Sequence, residues 1–292
     1  MIIVLGDVLH TMNILNTTCL NIAIEFFKKL DETGIKTMIL VGNHDYIGPN
    51  EYLSTNHWMN VVSTFYPKNI TIVDKVIVYK NYLFMPYVPI GRFKEALNDI
   101  VLNDIQYIFC HQEFKGVEYE FGNIKSEQGD EWDKNIYIIS GHIHKRQWLG
   151  KYIYYTGTPY QTRFNEDVNK TIAIVNTGTQ IITEINFKLP QMITIYKNIQ
   201  NVDSINTNEF LHDNLYKIII TVDTMPQIQS FLKTNTYKLL KKYAVVIFSY
   251  SNVAIEQYIS TSSEPPNFKQ MLFDKVQQNE NMLTLFKKVI GE

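Results

Sequence analysis

The chain has 292 residues, of which 45% are hydrophobic and 19% charged, a composition typical of a soluble protein with one or two domains. Its net charge of −2 gives no global electrostatic argument for nucleic-acid binding. Cys19 and Cys110 lie far apart and outside any Cys-x-x-Cys pattern, which argues against a disulfide framework and favours a reducing intracellular compartment. The opening apolar run, Met1 to Leu5, has no basic flank and ends just before Asp7, so we interpret it as neither a signal peptide nor a membrane span.

The first two-thirds of the chain alternate strand-like and helix-like segments. Residues 1–6 form a continuous apolar run typical of a buried strand, and apolar residues then recur at helical spacing from Leu20 to Leu30, ahead of Gly34. Further strands are predicted at 36–42, 73–79, 82–88, 105–110, 135–140, 151–157 and 171–176, and a second helix at 93–101. This order predicts a layered α/β domain over residues 1–188.

The last third of the chain has a different pattern. A strand at 215–223, a helix at 225–242 and a strand at 243–251 predict a small α/β domain over residues 189–262. The final segment, 263–292, begins with a Pro/Ser linker at 263–267 and continues as an amphipathic helix. We favour packing of that helix on its own domain, with docking to a partner as the alternative.

Short polar motifs follow four of the predicted buried strands. In an α/β sheet, residues just past the carboxyl ends of neighbouring strands converge in one crevice. A lone GD is typical of a turn and a lone Cys-His of a buried histidine, and GHIH alone is only suggestive. A turn has no use for the His-Asp of GNHD, and all four motifs in this order predict a common site. The motifs are LGDVLH with Asp7 and His10, VGNHD with Asn43, His44 and Asp45, FCHQEF with His111, and SGHIH with His142 and His144.

The residue types in these motifs favour a divalent transition metal. Imidazole, carboxylate and amide oxygen ligands fit manganese, iron or zinc, and the lack of thiolate ligands argues against a structural zinc site. If the chain is extended at GHIH, His142 and His144 point to the same side and both reach one cluster. Glycines precede Asp7, Asn43 and His142, where they permit tight turns beside a metal.

This combination resembles the calcineurin-like metallophosphoesterases, whose pattern is Asp-x-His, then GD-x-x-(D/H), GNH(D/E), an isolated His and GH-x-H. Within that superfamily, GDVLH and the stretch YYTGTPYQTRFNED (154–167) resemble the SbcD-type DNA double-strand-break repair nucleases, including phage recombination endonuclease subunits. The resemblance implies a layered α-β-β-α sandwich followed by a small α/β cap domain and a C-terminal helix. The resemblance rests on sequence motifs in the first domain, and in the second domain only on the predicted order of strands and helix.

The resemblance also implies a role for each matching residue. Asp7 would bridge two divalent metal ions, manganese in most of the family. Asn43, His111 and His142 would complete the shell of one metal, and His144 would bind the other. Three further residues have roles around the metals: catalytic His44 at the leaving oxygen, His10 orienting the phosphate, and Asp45 as an outer partner that holds a neighbouring imidazole.

The first block of the family pattern, Asp-x-His, occurs nowhere in the sequence. Asp7 and His10 have the spacing of the second block, so the resemblance implies a preceding strand that ends in Asp-x-His roughly 25–45 residues upstream. The alternatives are an internal start site, a truncated, inactive or regulatory copy, and a single-metal enzyme. One metal site would then be incomplete in this chain.

The leading hypothesis is a manganese-dependent DNA exonuclease or endonuclease subunit in recombination or repair. Its partners would be DNA, an SbcC-type coiled-coil ABC ATPase and a second copy of the chain, with no membrane, in the cytoplasm, the nucleoid or a viral replication site. The alternatives are a general calcineurin-like phosphatase or phosphodiesterase, and a subunit that binds without cutting. A shared basic groove would favour DNA, whereas scattered cations would favour the phosphatase. The residues that would form that groove are Lys145, Arg146, Lys151 and Arg163.

Overall fold

The computed structural model describes residues 1–12, 14–65, 68–120 and 124–251. The chain divides into two compact units, Met1–Gln191 and Met192–Glu292. The predicted boundary at residue 188 lies near the division between the units, and the helix predicted after residue 267 lies outside the described residues. In the part of the chain that is described, no helix is both long and apolar enough to cross a membrane.

The first unit contains a parallel sheet of three strands in the order β1-β2-β3, which are Ile2–Val4, Thr37–Leu40 and Ile70–Val73. Helix α1 (Thr17–Glu32) connects β1 to β2, and the short helix α2 (Asn60–Phe65) precedes β3. Helix α1 begins where Asn16 Oδ1 accepts hydrogen bonds from the backbone N–H groups of Thr18 and Cys19. Its buried residues, Ala23 and Phe27, are four positions apart on the face toward the sheet.

A second sheet of six strands has the order β4-β5-β6-β7-β9-β8. Strands β5, β6, β7 and β9 are parallel, and β4 and β8 are antiparallel strands at its two edges. A separate antiparallel hairpin, β10–β11, follows the sheet. These strands are β4 Ile77–Tyr79, β5 Tyr82–Met85, β6 Tyr107–Cys110, β7 Tyr137–Ser140, β8 Gln147–Leu149, β9 Ile153–Tyr155, β10 Ile172–Asn176 and β11 Ile181–Ile185.

Alternating side chains of the strands bury different faces of the two sheets. Met38 and Leu40 of β2 share an apolar cluster with Phe84 and Phe109 of the six-stranded sheet, while Ile39 belongs to a cluster with α1. The other face of the six-stranded sheet packs against segments that include residues 88–117. Strands β2, β6 and β9 are buried along their whole length, as expected for strands covered on both faces, and polar residues follow the ends of β2 and β6.

The helix predicted at 93–101 is wrong for most of its length. The structure has only a three-residue 3-10 helix, Glu95–Leu97, in this segment. The backbone N–H groups of Gly91 and Phe93 donate to the Asp130 carboxylate, which fixes the chain entering the segment. Asn98 and Asp99 follow at once, and both residue types favour turns over helix interiors.

The second unit has a parallel sheet in the order β12-β13-β14, formed by Met192–Asn198, Leu215–Val222 and Ala244–Tyr250. Strand β12 was not predicted from the sequence, and the single helix predicted at 225–242 is two helices, α3 (Met225–Phe231) and α4 (Asn235–Tyr243). The break occurs at Thr234, whose hydroxyl caps α4 by accepting from the N–H of Tyr237. Ile218, Ile220 and Val222 of β13 pack under these helices with Phe231 and Leu240.

Candidate metal centre

The candidate metal ligands follow the carboxyl ends of four strands. Asp7 and Asn43 follow the adjacent strands β1 and β2, and His111 and His142 follow the adjacent strands β6 and β7. The two sheets share an apolar cluster, and their carboxyl ends bring these four side chains together.

The ligand atoms of Asp7, His111 and His142 all lie within 4.8 Å of one another. Asp7 Oδ2 is 3.2 Å from His111 Nε2, which in turn is 3.3 Å from His142 Nδ1. Asn43 Oδ1 lies between the two rings, 3.1 Å from His111 Nε2 and 2.9 Å from His142 Nδ1. One carboxylate oxygen, one amide oxygen and two ring nitrogens therefore face a common point.

The partners of the outer ring nitrogens of His111 and His142 show which nitrogens remain available to bind a metal. His111 Nδ1 is 2.5 Å from the backbone oxygen of Leu5, and His142 Nε2 is 3.4 Å from Glu113 Oε2. Since both outer partners are acceptors, the ring hydrogens belong on those nitrogens, and the two inner nitrogens keep their lone pairs. Four electron-pair donors then converge with no hydrogen between them, an arrangement that fits a divalent cation bound by nitrogen and oxygen.

The backbone at two of these ligands is strained. Asp7 and His142 have φ angles of 53° and 70°, in the left-handed region that residues with a side chain seldom adopt. The chain approaches itself closely here: a Cβ at Gly42 would overlap Asp7, and one at Gly6 would lie 2.6 Å from His111 Nδ1. The glycines that precede Asp7 and Asn43 therefore permit close approach of the ligand-bearing turns.

The charges of the cluster favour cation binding. Burial opposes ionisation of Asp7, but the neighbouring His111 and the N–H of His44 hold its pKa at about 2. Burial lowers the pKa of His142, with Glu113 opposing that change, so the ring is neutral at pH 7. Burial also acts to lower the pKa of His111, but Asp7, the Leu5 carbonyl and Asp45 together raise this pKa, so a cation must compete with a proton for Nε2 of His111. A carboxylate and a neutral imidazole are the forms that bind metals.

The two predicted catalytic histidines lie side by side next to this cluster. The backbone N–H of His44 donates to Asp7 Oδ1 at 2.9 Å. The ring of His10 stacks on the ring of His44 with centroids 5.0 Å apart and an interplanar angle of 20°. His10 is exposed and His44 is half-buried, so both rings can be reached from solvent.

Asp45 has different partners from those expected. Its carboxylate accepts hydrogen bonds from the backbone N–H groups of Val8, Leu9 and Gly42 and from the indole N–H of Trp58. Asp45 thus connects the turn that carries Asp7 to the turn that carries Asn43. We had predicted instead that its carboxylate would hold a neighbouring imidazole. Burial and the charge of Asp7 raise the pKa of Asp45 to about 6 despite these donors.

His144 lies outside the cluster formed by Asp7, His111 and His142. Strand β7 ends at Ser140, and the φ of 70° at His142 is incompatible with the extended chain that we assumed for GHIH. Instead, His144 Nδ1 lies 3.4 Å from Glu166 Oε1. The prediction that the two histidines point to the same side was therefore based on a backbone conformation that the chain does not adopt.

The predicted DNA contacts do not form a set of unpaired cations. Lys145 Nζ is 2.7 Å from Glu118 Oε2, and Arg146 Nε is 3.2 Å from Glu184 Oε1. Lys151 lies over the ring of Tyr152, while Arg163 is exposed. Lys145 and Arg146 do line one cavity of about 210 Å³, but Glu120 and Asp167 line it too.

Sequence reasoning gave no role to Glu113, Glu166 or Tyr87. Glu113 lies two residues after His111 in the HQEF motif, and Glu166 lies in the Phe-x-Glu turn of 154–167. Both residues therefore belong to motifs that already indicated the site. Tyr87, whose ring stacks on His142 with centroids 5.9 Å apart, lies in a segment with no polar motif. Its contact with His142 is apparent only from the three-dimensional structure.

Comparisons with known proteins identify the family of the chain. Residues 1–146 match the family described as calcineurin-like phosphoesterase. The chain is 33% identical over 289 residues to "Putative phosphoesterase 078R" of Invertebrate iridescent virus 3, covering 94% of this chain and 82% of that protein. It is 40% identical over 201 residues to "Putative phosphoesterase 244L" of Invertebrate iridescent virus 6, covering 66% and 69%. The chain therefore belongs to the calcineurin-like phosphoesterases, a family of metal-dependent hydrolases.

Proposed function

We propose that the protein is a manganese-dependent phosphodiesterase that cuts DNA, a nuclease subunit in recombination or double-strand-break repair. The observation that carries the hydrolytic part is the convergence of Asp7 Oδ2, Asn43 Oδ1, His111 Nε2 and His142 Nδ1. The DNA part rests on the resemblance of GDVLH and of 154–167 to the SbcD-type nucleases.

Different residues of the chain have different roles at such a centre. Asp7, Asn43, His111 and His142 hold the cation, which when bound supplies a Lewis acid for the phosphoryl group and a nucleophilic water at neutral pH. We assign to His44, whose backbone N–H orients Asp7, the donation of a proton to the leaving oxygen. His10, stacked on His44 and exposed, positions the scissile phosphate.

A second candidate is a phosphatase or phosphodiesterase for small or protein substrates. The ion pairs of Lys145 and Arg146 favour it, because a cation neutralised by a neighbouring carboxylate attracts the phosphates of a nucleic acid less strongly. DNA binding would have to break or bridge these pairs.

Three substrates separate the two candidates. The purified chain, freed of metal by chelation, is incubated with linear double-stranded DNA, bis(p-nitrophenyl) phosphate and p-nitrophenyl phosphate, each with and without Mn²⁺. The nuclease predicts manganese-dependent cutting of DNA and hydrolysis of the diester. Hydrolysis of the monoester without any cutting of DNA would support the phosphatase.

Variants connect any activity to the centre. We expect Asn43→Ala and His111→Ala to reduce hydrolysis on the order of 100-fold, because each removes a ligand of the cation. His212→Ala removes an exposed histidine of the second unit and serves as the matched control. Activity that survives both ligand substitutions would refute the proposed centre.

We also propose the two partners that the resemblance implies, an SbcC-type ATPase and a second copy of the chain. For the second copy, Cys19, Ile22 and Phe26 form an exposed stripe along α1, with Ile22 62% and Phe26 42% exposed. Phe26→Asp should convert a dimer to a monomer in light scattering, whereas Val101→Asp, at an apolar residue that is 74% exposed, should not. A chain that is monomeric throughout would contradict the dimer.

The ATPase partner has a separate test. DNA cutting by the wild-type chain should increase when the ATPase and ATP are added, and deletion of residues 268–292 should remove that increase. No increase in cutting with ATP and the ATPase would rule out this partner.

The layering of the first unit is also part of the proposal. The cluster shared by the two sheets and the packing of α1 on β2 support an α-β-β-α arrangement.

A further inference from the structure

The second histidine of GHIH is held by a group of side chains of its own. His144 Nδ1 lies 3.4 Å from Glu166 Oε1 and 3.4 Å from Thr162 Oγ1. The Thr162 hydroxyl donates its hydrogen to Glu166 Oε1 at 2.7 Å, so both oxygens that face Nδ1 are acceptors. The hydrogen of a neutral His144 ring therefore belongs on Nδ1, and Nε2 keeps the lone pair.

Glu166 is a fixed part of the fold. Its side chain is 0% exposed, and its Oε2 accepts the N–H of Thr162 at 2.9 Å and lies 3.4 Å from Lys170 Nζ. The backbone oxygen of Glu166 accepts from Gln161 Nε2 at 3.0 Å. A buried carboxylate needs partners of this kind, and together they give it one orientation.

The same group fixes the backbone of His144. Lys170, with a side chain 8% exposed, donates from Nζ to His144 O at 3.2 Å, and the N–H of Thr158 donates to the same oxygen at 3.3 Å. Gly157 passes so close that a Cβ there would lie 2.8 Å from His144 O. The segment 157–170 thus holds both the ring and the main chain of His144.

We propose that Glu166 is the positioning residue for His144, and that it sets the tautomer and ring direction so that Nε2 serves as a metal ligand. This inference rests on the proposed metal-dependent hydrolysis. At His142 the arrangement is reversed, since Glu113 faces Nε2 and leaves Nδ1 as the ligand. Two buried carboxylates thus select opposite nitrogens in two histidines of one motif.

The tautomer can be measured without metal or substrate. Full-length chain labelled with ¹⁵N and ¹³C in histidine is studied by NMR at pH 8, with signals assigned through His144→Gln and His142→Gln. We expect the Nδ1–H form at His144 and the Nε2–H form at His142. Glu166→Ala should move His144 toward the Nε2–H form, while Glu166→Gln, whose carbonyl still accepts a hydrogen bond, should retain Nδ1–H.

Glu113→Ala is the matched control, because it removes the other carboxylate and should alter the tautomer of His142 alone. An unchanged signal of the buried His57 reports that each variant is folded. An Nε2–H form at His144 in the wild-type chain would overturn the inference even if no variant folds. An unchanged Nδ1–H form in folded Glu166→Ala would overturn it as well.

Metal binding separates this inference from the proposed function. In calorimetric titration with Mn²⁺, Glu166→Ala should bind on the order of 10-fold more weakly than the wild type, and Glu166→Gln should bind nearly as well. A wild-type chain that shows the expected tautomers but binds no Mn²⁺ would overturn the proposed function alone. Equal affinity of the wild type and Glu166→Ala would show that Glu166 does not position a ligand.

Discussion

At the scale of single residues, the candidate centre depends on unusual backbone conformations. Asp7 and His142 both have left-handed φ angles, and such strain persists only where the surroundings hold it in place. Part of the restraint at Asp7 comes from the N–H of His44, which donates to its Oδ1. Hydrogen bonding within the protein thus helps to hold the Asp7 carboxylate in place.

A side chain at Gly42 should destroy this geometry. In Gly42→Ala, the new Cβ would overlap both the carboxylate and the backbone nitrogen of Asp7, so the Asp7 turn must move. We expect Mn²⁺ affinity, measured by calorimetry, to fall at least about 10-fold, as it does when support for a metal ligand is lost. Gly48→Ala is the control, because a Cβ at that position would have no atom within 4 Å. Wild-type affinity in Gly42→Ala would contradict the close approach.

The sequence predicted which side chains converge better than it predicted the backbone that carries them. Polar residues at the ends of apolar strands were enough to bring together Asp7, Asn43, His111 and His142. The left-handed turn at His142 could not be predicted, because nothing in GHIH distinguishes it from an extended segment. The assumption of an extended backbone at His142 was therefore wrong, and the contact of His144 with Glu166 was not predicted.

At the scale of elements, Asp45 joins the turns that follow β1 and β2. Its carboxylate accepts from Val8 and Leu9 in one turn and from Gly42 in the other, with Trp58 as a fourth donor. The structure therefore gives Asp45 a mechanical role in keeping two ligand-bearing turns in register.

Loss of this carboxylate should destabilise the protein. Asp45→Ala leaves four N–H donors without their acceptor, and we expect the free energy of unfolding to fall by roughly 3 kcal/mol. Urea unfolding at pH 8, above the pKa of about 6, keeps the wild-type carboxylate ionised. Asp213→Ala, at an exposed aspartate, should change stability by less than about 0.5 kcal/mol. Equal stability of the two variants would show that the turns do not need Asp45.

His57 predicts a pH dependence of stability. It forms an isolated bridge with Tyr46, and its side chain is 1% exposed, 3.5 Å from Asp74 Oδ2. Burial lowers its pKa below the ordinary 6.5, with Asp74 opposing, so the unfolded chain binds a proton more readily than the folded one. The free energy of unfolding should therefore fall as pH decreases from about 6.5 toward the folded pKa.

The variant His57→Phe isolates this contribution. A neutral ring of similar size should lose less stability between pH 7 and pH 5 than the wild type does. His212→Phe, at a fully exposed histidine, should behave as the wild type. Parallel pH profiles for His57→Phe and the wild type would contradict the assignment.

Secondary-structure elements were predicted correctly where a continuous apolar run was the main feature of the segment. Short apolar runs predicted β1, β2, β5, β6, β7, β9 and β10 of the first unit. The strand predicted at 73–79 contains β4 but misses β3, which is Ile70–Val73, and β8 and β11 were not predicted. The segment 93–101 has helical spacing of apolar residues, but contacts of Asp130 with Gly91 and Phe93 override that local preference. Strand β12 was missed because Thr194, Lys197 and Asn198 interrupt its apolar run.

At the scale of the whole molecule, the ligands and the second unit are separate in the chain. The candidate ligands and Glu166 all lie in Met1–Gln191, whereas the parallel sheet β12-β13-β14 has its own apolar cluster. The relative 078R aligns with 94% of the chain and therefore with both units.

A chain of residues 1–191 should therefore keep the centre. We expect it to bind Mn²⁺ and to hydrolyse bis(p-nitrophenyl) phosphate about as well as the full chain, because no ligand is removed. Cutting of DNA should fall if the second unit contributes to substrate binding. Loss of Mn²⁺ binding by a truncated chain whose circular dichroism shows folded structure would place part of the centre in the second unit.

The contacts of the centre join distant parts of the chain: His111 with Leu5, 106 residues away, and His142 with Asn43, 99 residues away. Such long-range contacts form late, because the chain must first close large loops. During synthesis, no growing chain can present the full ligand set until residue 142 has left the ribosome. Binding of a cation by the full ligand set therefore cannot precede synthesis of residue 142, and a bound cation would stabilise the contacts between these distant segments.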